Sequence, residues 1–221
     1  MKIVAIIQTR TGSKRFPKKV LKNIQNKSII DWVLKRTKKA KNVKKIILAT
    51  TRYKRDDILE NIAKKNKVQI YRGDEKNVLK RYFDAAKFYK ADVIVRICAD
   101  NPFIDPNQID YLIKKFKYKN YDYAYNHQSR LNTNYADGFG AEILTFNALE
   151  RVYLGAKSKN QKEHVTKYIW DNLKKFRILS IKSPKRLAYP QFKFDINTPE
   201  DYRLIKNFTE NFNIKINTKA E

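Results

Sequence analysis

The segment Thr9 to Lys19, Thr-Arg-Thr-Gly-Ser-Lys-Arg-Phe-Pro-Lys-Lys, gathers Arg10, Ser13, Lys14, Arg15, Lys18 and Lys19 around Gly12. Arginine presents a planar fork of donors that matches phosphate, and glycine lets backbone N–H groups come close to an anion. A loop of this kind suits a triphosphate. In so lysine-rich a chain it could also be a solvated basic turn. Its two arginines, and its position directly after the apolar run Met1 to Gln8, favour phosphate binding. It is not a P-loop, because the glycine, lysine and Ser/Thr spacing of that motif is absent.

Two carboxylates stand at the ends of other apolar runs. Asp92 to Cys98 leads into Ala99-Asp100-Asn101-Pro102, so Asp100 falls at the carboxyl end of a strand, where a carboxylate can ligate Mg²⁺ bound to substrate phosphates. A strand-end aspartate is often only a cap, but Asp105-Pro106 is the better cap for the helix that follows. Near the C-terminus, Thr198-Pro199-Glu200-Asp201 has the form of a capping box, which accounts for Thr198 and Asp201 and leaves Asp195 without a structural task. Asp100 and Asp195 meet over one ion only if the C-terminal strand lies near the centre of the sheet.

Asn134 to Glu142 holds two glycines beside Asp137 and Glu142, as a sugar-hydroxyl binding loop would, although a plain bulge or hairpin uses the same residues. His164 follows Glu163 in a helical stretch, where a lone histidine is more often structural than catalytic. His127, beside Asn126 and Arg130, is a weaker candidate. Cys98 reads as a packed residue rather than a nucleophile, and Trp32 and Trp170 as core or dimer-contact residues.

The elements that must position these groups follow from hydrophobic periodicity. Met1–Gln8, Lys45–Thr50, Gln69–Tyr71 and Asp92–Cys98 read as buried strands. Between and after them, helical spacing places Ile29, Ile30, Val33 and Leu34; Ile58, Leu59 and Ile62; Val78, Leu79 and Tyr82; and Ile109, Leu112 and Ile113 on apolar faces. The alternation predicts an α/β fold with a mostly parallel central sheet and helices on both faces. The second half is less regular, with strands expected at Tyr121–Asn126, Gly140–Thr145 and Phe192–Ile196 and helices near Asn147–Ala156, Lys162–Leu173 and Pro199–Phe208. Residues 1–212 read as a single domain, and 213–221 as a frayed tail.

Composition narrows the partners. The net charge of +27 suggests nucleic acid. The lysines, however, are spread over almost every segment, including Lys35–Lys45, Lys64–Lys67 and Lys114–Lys119, which speaks for a general bias and against a reading surface. One cysteine excludes an internal disulfide, and with two histidines it is too little for a zinc cluster of the usual type. No apolar run has membrane-spanning length and no cleavage-like site follows the first segment, so the chain is expected in the cytoplasm.

The run Ile6 to Leu21 resembles the opening motif of the cytidylyltransferase family that includes the acylneuraminate and 3-deoxy-manno-octulosonate cytidylyltransferases. The likeness is strongest to its spore coat polysaccharide branch. Further matches are Arg72-Gly73, Val78-Leu79, Arg81-Tyr82, Val95-Arg96 through Ala99-Asp100 and Pro102, Asp137-Gly138, Glu163-His164-Val165-Thr166, and Asp195 with Thr198 to Asp201. The resemblance implies a Rossmann-like nucleotide-diphospho-sugar transferase fold, possible homodimerisation, and Mg²⁺-dependent transfer of CMP from CTP to a sugar acid, sugar phosphate or similar acceptor for surface polysaccharide or glycan biosynthesis.

Carried over by position, Arg10, Gly12, Ser13, Arg15, Lys19 and Ala99 contact the nucleotide, with Arg15 and Lys19 catalytic. Asp100 and Asp195 bind metal, and Asp137, Glu142 and His164 face the acceptor. Lys18 stands where the family usually has glycine, and Cys98 where many relatives have Thr or Gln. Two rivals are a basic nucleic-acid-binding module, supported by charge and tyrosine content, and a glycosyltransferase using a nucleotide-sugar donor, disfavoured by the missing Asp-x-Asp motif.

Overall fold

The computed structural model describes residues 1–117 and 120–220. The end of the lysine run at Lys119, and Glu221 at the close of the expected tail, therefore lie outside the described residues.

Strand β1 (Ile3–Gln8) is apolar at every position but its last, as a strand covered on both faces must be. Ile3, Ala5 and Ile7 face one hydrophobic core, while Val4 and Ile6 face the other. A small hairpin, β2 (Asn23–Ile24) and β3 (Lys27–Ser28), leads into α1 (Ile29–Thr37), whose start is capped by the Ser28 side chain accepting from Asp31 N.

The pattern then repeats through β4 (Lys45–Thr51), α2 (Asp57–Lys65), β5 (Gln69–Gly73), α3 (Val78–Phe88), β6 (Val93–Cys98) and α4 (Pro106–Lys117). The second half supplies β7 (Tyr123–Tyr125), β8 (Glu142–Thr145), α5 (Phe146–Gly155), α6 (Lys159–Glu163), α7 (Lys167–Asp171), β9 (Ile178–Ser180) and α8 (Pro199–Asn211).

Among the described residues the main sheet has seven strands in the order β5-β4-β1-β6-β8-β7-β9. Only β8 runs against the rest. Helices α1, α2 and α4 bury their apolar faces on one side, and α3, α5 and α7 on the other. This is the α/β sheet with two helical layers that the periodicity predicts. The chain leaves β1 outward through β4 and β5, then returns to place β6 on β1's other flank. Strand order therefore reverses between β1 and β6, which opens a crevice at their carboxyl ends.

The structure departs from expectation in three places. Phe192–Ile196 is not a strand; it makes one isolated bridge, Asp137 with Lys193. Phe194 and Ile196 instead join an aromatic cluster with Phe16, Ile24, Trp32, Phe103 and Ile205, so burial and a few separate backbone hydrogen bonds, not a continuous ladder, hold this segment.

The helix expected over Lys162–Leu173 is broken between α6 and α7. Val165 is drawn fully into the core and the Thr166 hydroxyl donates to Glu142 Oε1 at 2.9 Å, two tertiary contacts that override local helical preference.

Residues 213–220, expected to fray, make defined contacts. Arg36 Nη1 donates to the carbonyls of Ile216 (3.0 Å) and Thr218 (2.7 Å), and Ala220 N donates to Asp105 Oδ2 at 2.7 Å. The short β2, β3 and β9 were not anticipated, because two or three residues carry no readable period.

Candidate active site

The basic loop leaves β1 at the crevice and is closed by Lys18 N donating to Thr11 O at 3.0 Å. Lys18 itself adopts a left-handed conformation, φ 55° and ψ 24°. This is a conformation that glycine adopts freely and that costs a lysine about 1–2 kcal/mol. The loop is anchored at both ends. Phe16 is buried in the aromatic cluster, and Asp56, fully buried after β4, accepts from Thr11 N (2.8 Å) and Thr11 Oγ1 (2.6 Å) and also from Thr51 Oγ1. Burial alone would raise the Asp56 pKa, but these hydrogen bonds from Thr11 and Thr51 hold it below the usual carboxylate value.

From this frame Lys19 Nζ reaches Asp100 Oδ2 and Ile196 O, each at 2.7 Å, and Arg15 Nη2 donates to Asn197 Oδ1 at 3.0 Å. Arg10 Nη1 donates to Glu75 O at 3.1 Å, and its other terminal nitrogen lies 3.8 Å from Glu163.

The condition for Asp100 and Asp195 to share a site is met without a strand. Ile196 N donates to Asp100 O at 2.9 Å, which docks the Asp195 segment on the end of β6. The same segment grips Asp137, whose N donates to Phe192 O and whose carbonyl accepts from Phe194 N, both at 3.0 Å. Gly138 permits this approach. It sits at φ 111°, with the Phe194 side chain and backbone where a Cβ would project. Gly140 is required by contact, since a Cβ there would overlap the Asn126 carbonyl oxygen.

Three carboxylates therefore face one cavity of about 550 Å³. Burial, then Asp195 and Asp100, push the Asp137 pKa up to about 7; burial, then Asp100, also raise Asp195. Among the described residues Lys19 is the one Lys or Arg in ion-pair contact with this group, through Asp100.

The floor of the cavity is a buried polar network. Glu142, 1% exposed, accepts from Arg96 Nη1, Tyr123 OH and Thr166 Oγ1. Burial alone would raise its pKa; the Arg96 guanidinium, with the other donors, holds it down to about 2. The side wall carries His127, Arg130, His164 and Trp170. Burial keeps His127 neutral, with its pKa lowered to about 4, and drives the Cys98 thiol up to about 12, which disfavours the thiolate that a nucleophile needs.

Of the residues picked out from sequence, Asp100, Asp137, Asp195, Glu142 and His164 line the cavity. Arg10, Ser13, Arg15 and Lys19 are not among the residues that line it; of these, Lys19 is tied to it through the Asp100 carboxylate. Glu142 differs from expectation, because both its oxygens are occupied by internal donors and it supports the cavity from beneath. The Ala99 methyl lies in the hydrophobic core, so only its backbone is available to a nucleotide. Gly12 lies against the Arg55 guanidinium. Trp32 is a core residue, as expected, with Nε1 donating to Ile24 O at 2.9 Å, whereas Trp170 lines the cavity. Sequence reading missed Asp56, whose partners are distant in the chain, and Arg130, which no motif marks.

Asp100 and Asp195 suit Mg²⁺, an ion usually held by one or two carboxylates with substrate phosphates and water completing its shell. The fit rests on a carboxylate group that outnumbers its cationic partners. Among the described residues no set of three or more His, Cys, Asp and Glu could enclose an ion unaided.

A basic loop after β1 and a group of carboxylates gathered at the reversal point of a mostly parallel sheet are an arrangement suited to nucleotidyl transfer. The profile of the cytidylyltransferase family matches residues 4–219, and the chain belongs to that family. It is 38% identical to an uncharacterized protein of Methanocaldococcus jannaschii, covering 97% of this chain and 86% of that one. It is 32% identical to the spore coat polysaccharide biosynthesis protein SpsF of Bacillus subtilis, covering 92% and 85%. A solved cytidylyltransferase from Leptospira borgpetersenii superposes with a TM-score of 0.90 at 31% identity, covering 100% of this chain and 91% of that one. Among the described residues no helix is long and apolar enough to cross a membrane.

Proposed function

We propose that this enzyme transfers CMP from CTP to a hydroxyl of a small sugar-like acceptor and releases pyrophosphate, in surface polysaccharide or glycan assembly. The observation that carries the reading is Lys19. It rises from the basic loop to Asp100, while the Asp195 segment is bonded to the same residue, so phosphate-binding and metal-binding groups share one edge of the sheet. The family supports CTP, and the name of the B. subtilis relative supports a role in polysaccharide synthesis.

In the reaction an acceptor oxygen forms a bond to the α-phosphorus in line with the bond that breaks, the acceptor hydroxyl loses its proton, and pyrophosphate leaves with the bonding pair. Such transfer depends on positioning and charge neutralisation. Arg10, Arg15 and Lys19 orient and neutralise the triphosphate. Asp100 and Asp195 would hold a divalent cation, which supplies Lewis-acid stabilisation of developing charge. Asp56 and Phe16 keep the loop in place, and the Arg96–Glu142 pair keeps the cavity floor rigid.

The test is pyrophosphate release with Mg²⁺ and each of CTP, UTP, GTP and ATP against sugar acids and phosphorylated small molecules, for wild type and Asp100→Asn. Release with CTP and one acceptor class, abolished in the variant, is the expected result. Release with another triphosphate alone corrects the nucleotide, and steep salt-sensitive nucleic-acid binding without release overturns the reading.

A further inference from the structure

The cations that line the cavity are not equivalent. Arg96 is neutralised by Glu142, and Lys167 is paired with Asp171. Arg130, on the segment between β7 and β8, lines the same cavity with no Asp or Glu oxygen in ion-pair contact among the described residues. It is nevertheless held in place. Its guanidinium lies over the Trp170 ring at 4.4 Å from the centroid, its carbonyl accepts from Tyr125 OH at 2.6 Å, and its N donates to Thr133 Oγ1 at 3.2 Å.

Stacking occupies the face of a guanidinium and leaves its in-plane N–H donors free. A cation fixed by a ring rather than by a carboxylate keeps its charge for a ligand. His127 and Trp170 line the same cavity, with His127 Nδ1 and Trp170 Nε1 buried and without hydrogen-bond partners among the described residues. Strand β7, from which this segment departs, lies two strands from β6 and Asp100, about 10 Å across the sheet. A small acceptor can span that distance with its reacting hydroxyl near the carboxylates.

We infer that Arg130, stacked on Trp170, is the specificity residue that binds an oxyanion of the acceptor, a carboxylate or a phosphate, and so rejects neutral sugars. The inference rests on the cavity being the acceptor site of the CMP transfer proposed above. The nucleotide brings its own anion to the basic loop on β1, so Arg130 serves the second substrate. A planar fork reads either oxyanion bidentately, whereas lysine offers only a point charge.

The experiment measures pyrophosphate release with CTP for three acceptor sets: sugar acids, sugar phosphates, and their neutral parents as methyl esters or free sugars. Wild type, Arg130→Gln and Arg130→Lys are compared, with KM for CTP and melting temperature followed in parallel. For wild type, one anionic set is used and its neutral parent is at least ~10-fold poorer in kcat/KM. Arg130→Gln raises KM for the anionic acceptor ~10- to 100-fold, the effect of losing a charge-assisted contact, while KM for CTP and melting temperature hold. Arg130→Lys recovers part of the loss. Which anionic set is used distinguishes carboxylate from phosphate.

Equal use of neutral parents, or an unchanged acceptor KM in Arg130→Gln, overturns the inference and leaves the CMP-transfer reading intact. No CTP-dependent release with any acceptor overturns that reading and the inference with it. Should Arg130→Gln fail to fold, Arg130→Lys decides the matter: an acceptor KM equal to that of wild type overturns the inference, and a raised acceptor KM with KM for CTP unchanged supports it.

Discussion

Replacing Glu142 with glutamine keeps the shape of the cavity floor and removes its negative charge. Arg96 would then be buried without a counter-charge, because its partner at that site is Glu142. Breaking one side of a buried pair costs about 3–5 kcal/mol. In a domain of this size each kcal/mol lowers the melting temperature by about 2–4 °C, so Glu142→Gln should melt roughly 10 °C below wild type.

The pH dependence gives an independent check. The Glu142 pKa is lowered from 4.5 to about 2, so the native state binds fewer protons than the unfolded state between those values. The associated stability, ~3 kcal/mol, is complete above the unfolded value and is lost as pH falls through the folded one. Urea denaturation of both proteins from about pH 8 to about pH 3 should therefore show a constant gap above ~pH 5 that narrows below it. A gap independent of pH, or a melting temperature within ~2 °C of wild type, would refute the view that the Arg96–Glu142 pair is a coupled buried charge.

Two further outcomes are expected. Asp56→Asn turns an acceptor of two Thr11 donors into a group that can repel one of them. KM for CTP should rise ~10-fold, the equivalent of one lost hydrogen bond; a lower melting temperature with KM unchanged would show that Asp56 only stabilises the fold. Asp137, with its pKa raised to about 7, contributes stability that is complete below 3.8 and is lost as pH rises through the folded value. Mg²⁺ should therefore raise the melting temperature more at ~pH 8 than at ~pH 5.5, since it replaces a proton the carboxylate group otherwise keeps. A thermal shift that is absent, or equal at both pH values, counts against cation binding there.

The first half of the fold was readable because each element carries a complete period. Ile3 to Ile7 shows the unbroken apolar run of a strand covered on both sides, and Ile29 to Leu34 the spacing of an amphipathic helix. The caps were equally local. Asp105 accepts from Asn107 N and Gln108 N, and Thr198 and Asp201 form the reciprocal box, all within a few residues of chain. The second half was less readable because its decisive contacts are long-range. Phe194 and Ile196 have strand-like alternation but bury in an aromatic cluster, and the Lys162–Leu173 helix breaks where Val165 and Thr166 are claimed by the core and by Glu142.

The site divides in the same way. Residue types and spacing alone singled out the basic loop, Asp100 and Asp195 as candidates, because glycine among arginines and carboxylates left over by capping are visible without coordinates. Their meeting was decided by tertiary structure, through one backbone hydrogen bond from Ile196 to Asp100 and one lysine that bonds the Asp100 carboxylate and the Ile196 carbonyl. Tertiary structure also decided that Glu142 pairs with Arg96 beneath the cavity and that Arg130 lines it. The pairing of a buried charge depends on which strands lie side by side, and the order β1-β6-β8-β7 sets partners that no local pattern encodes.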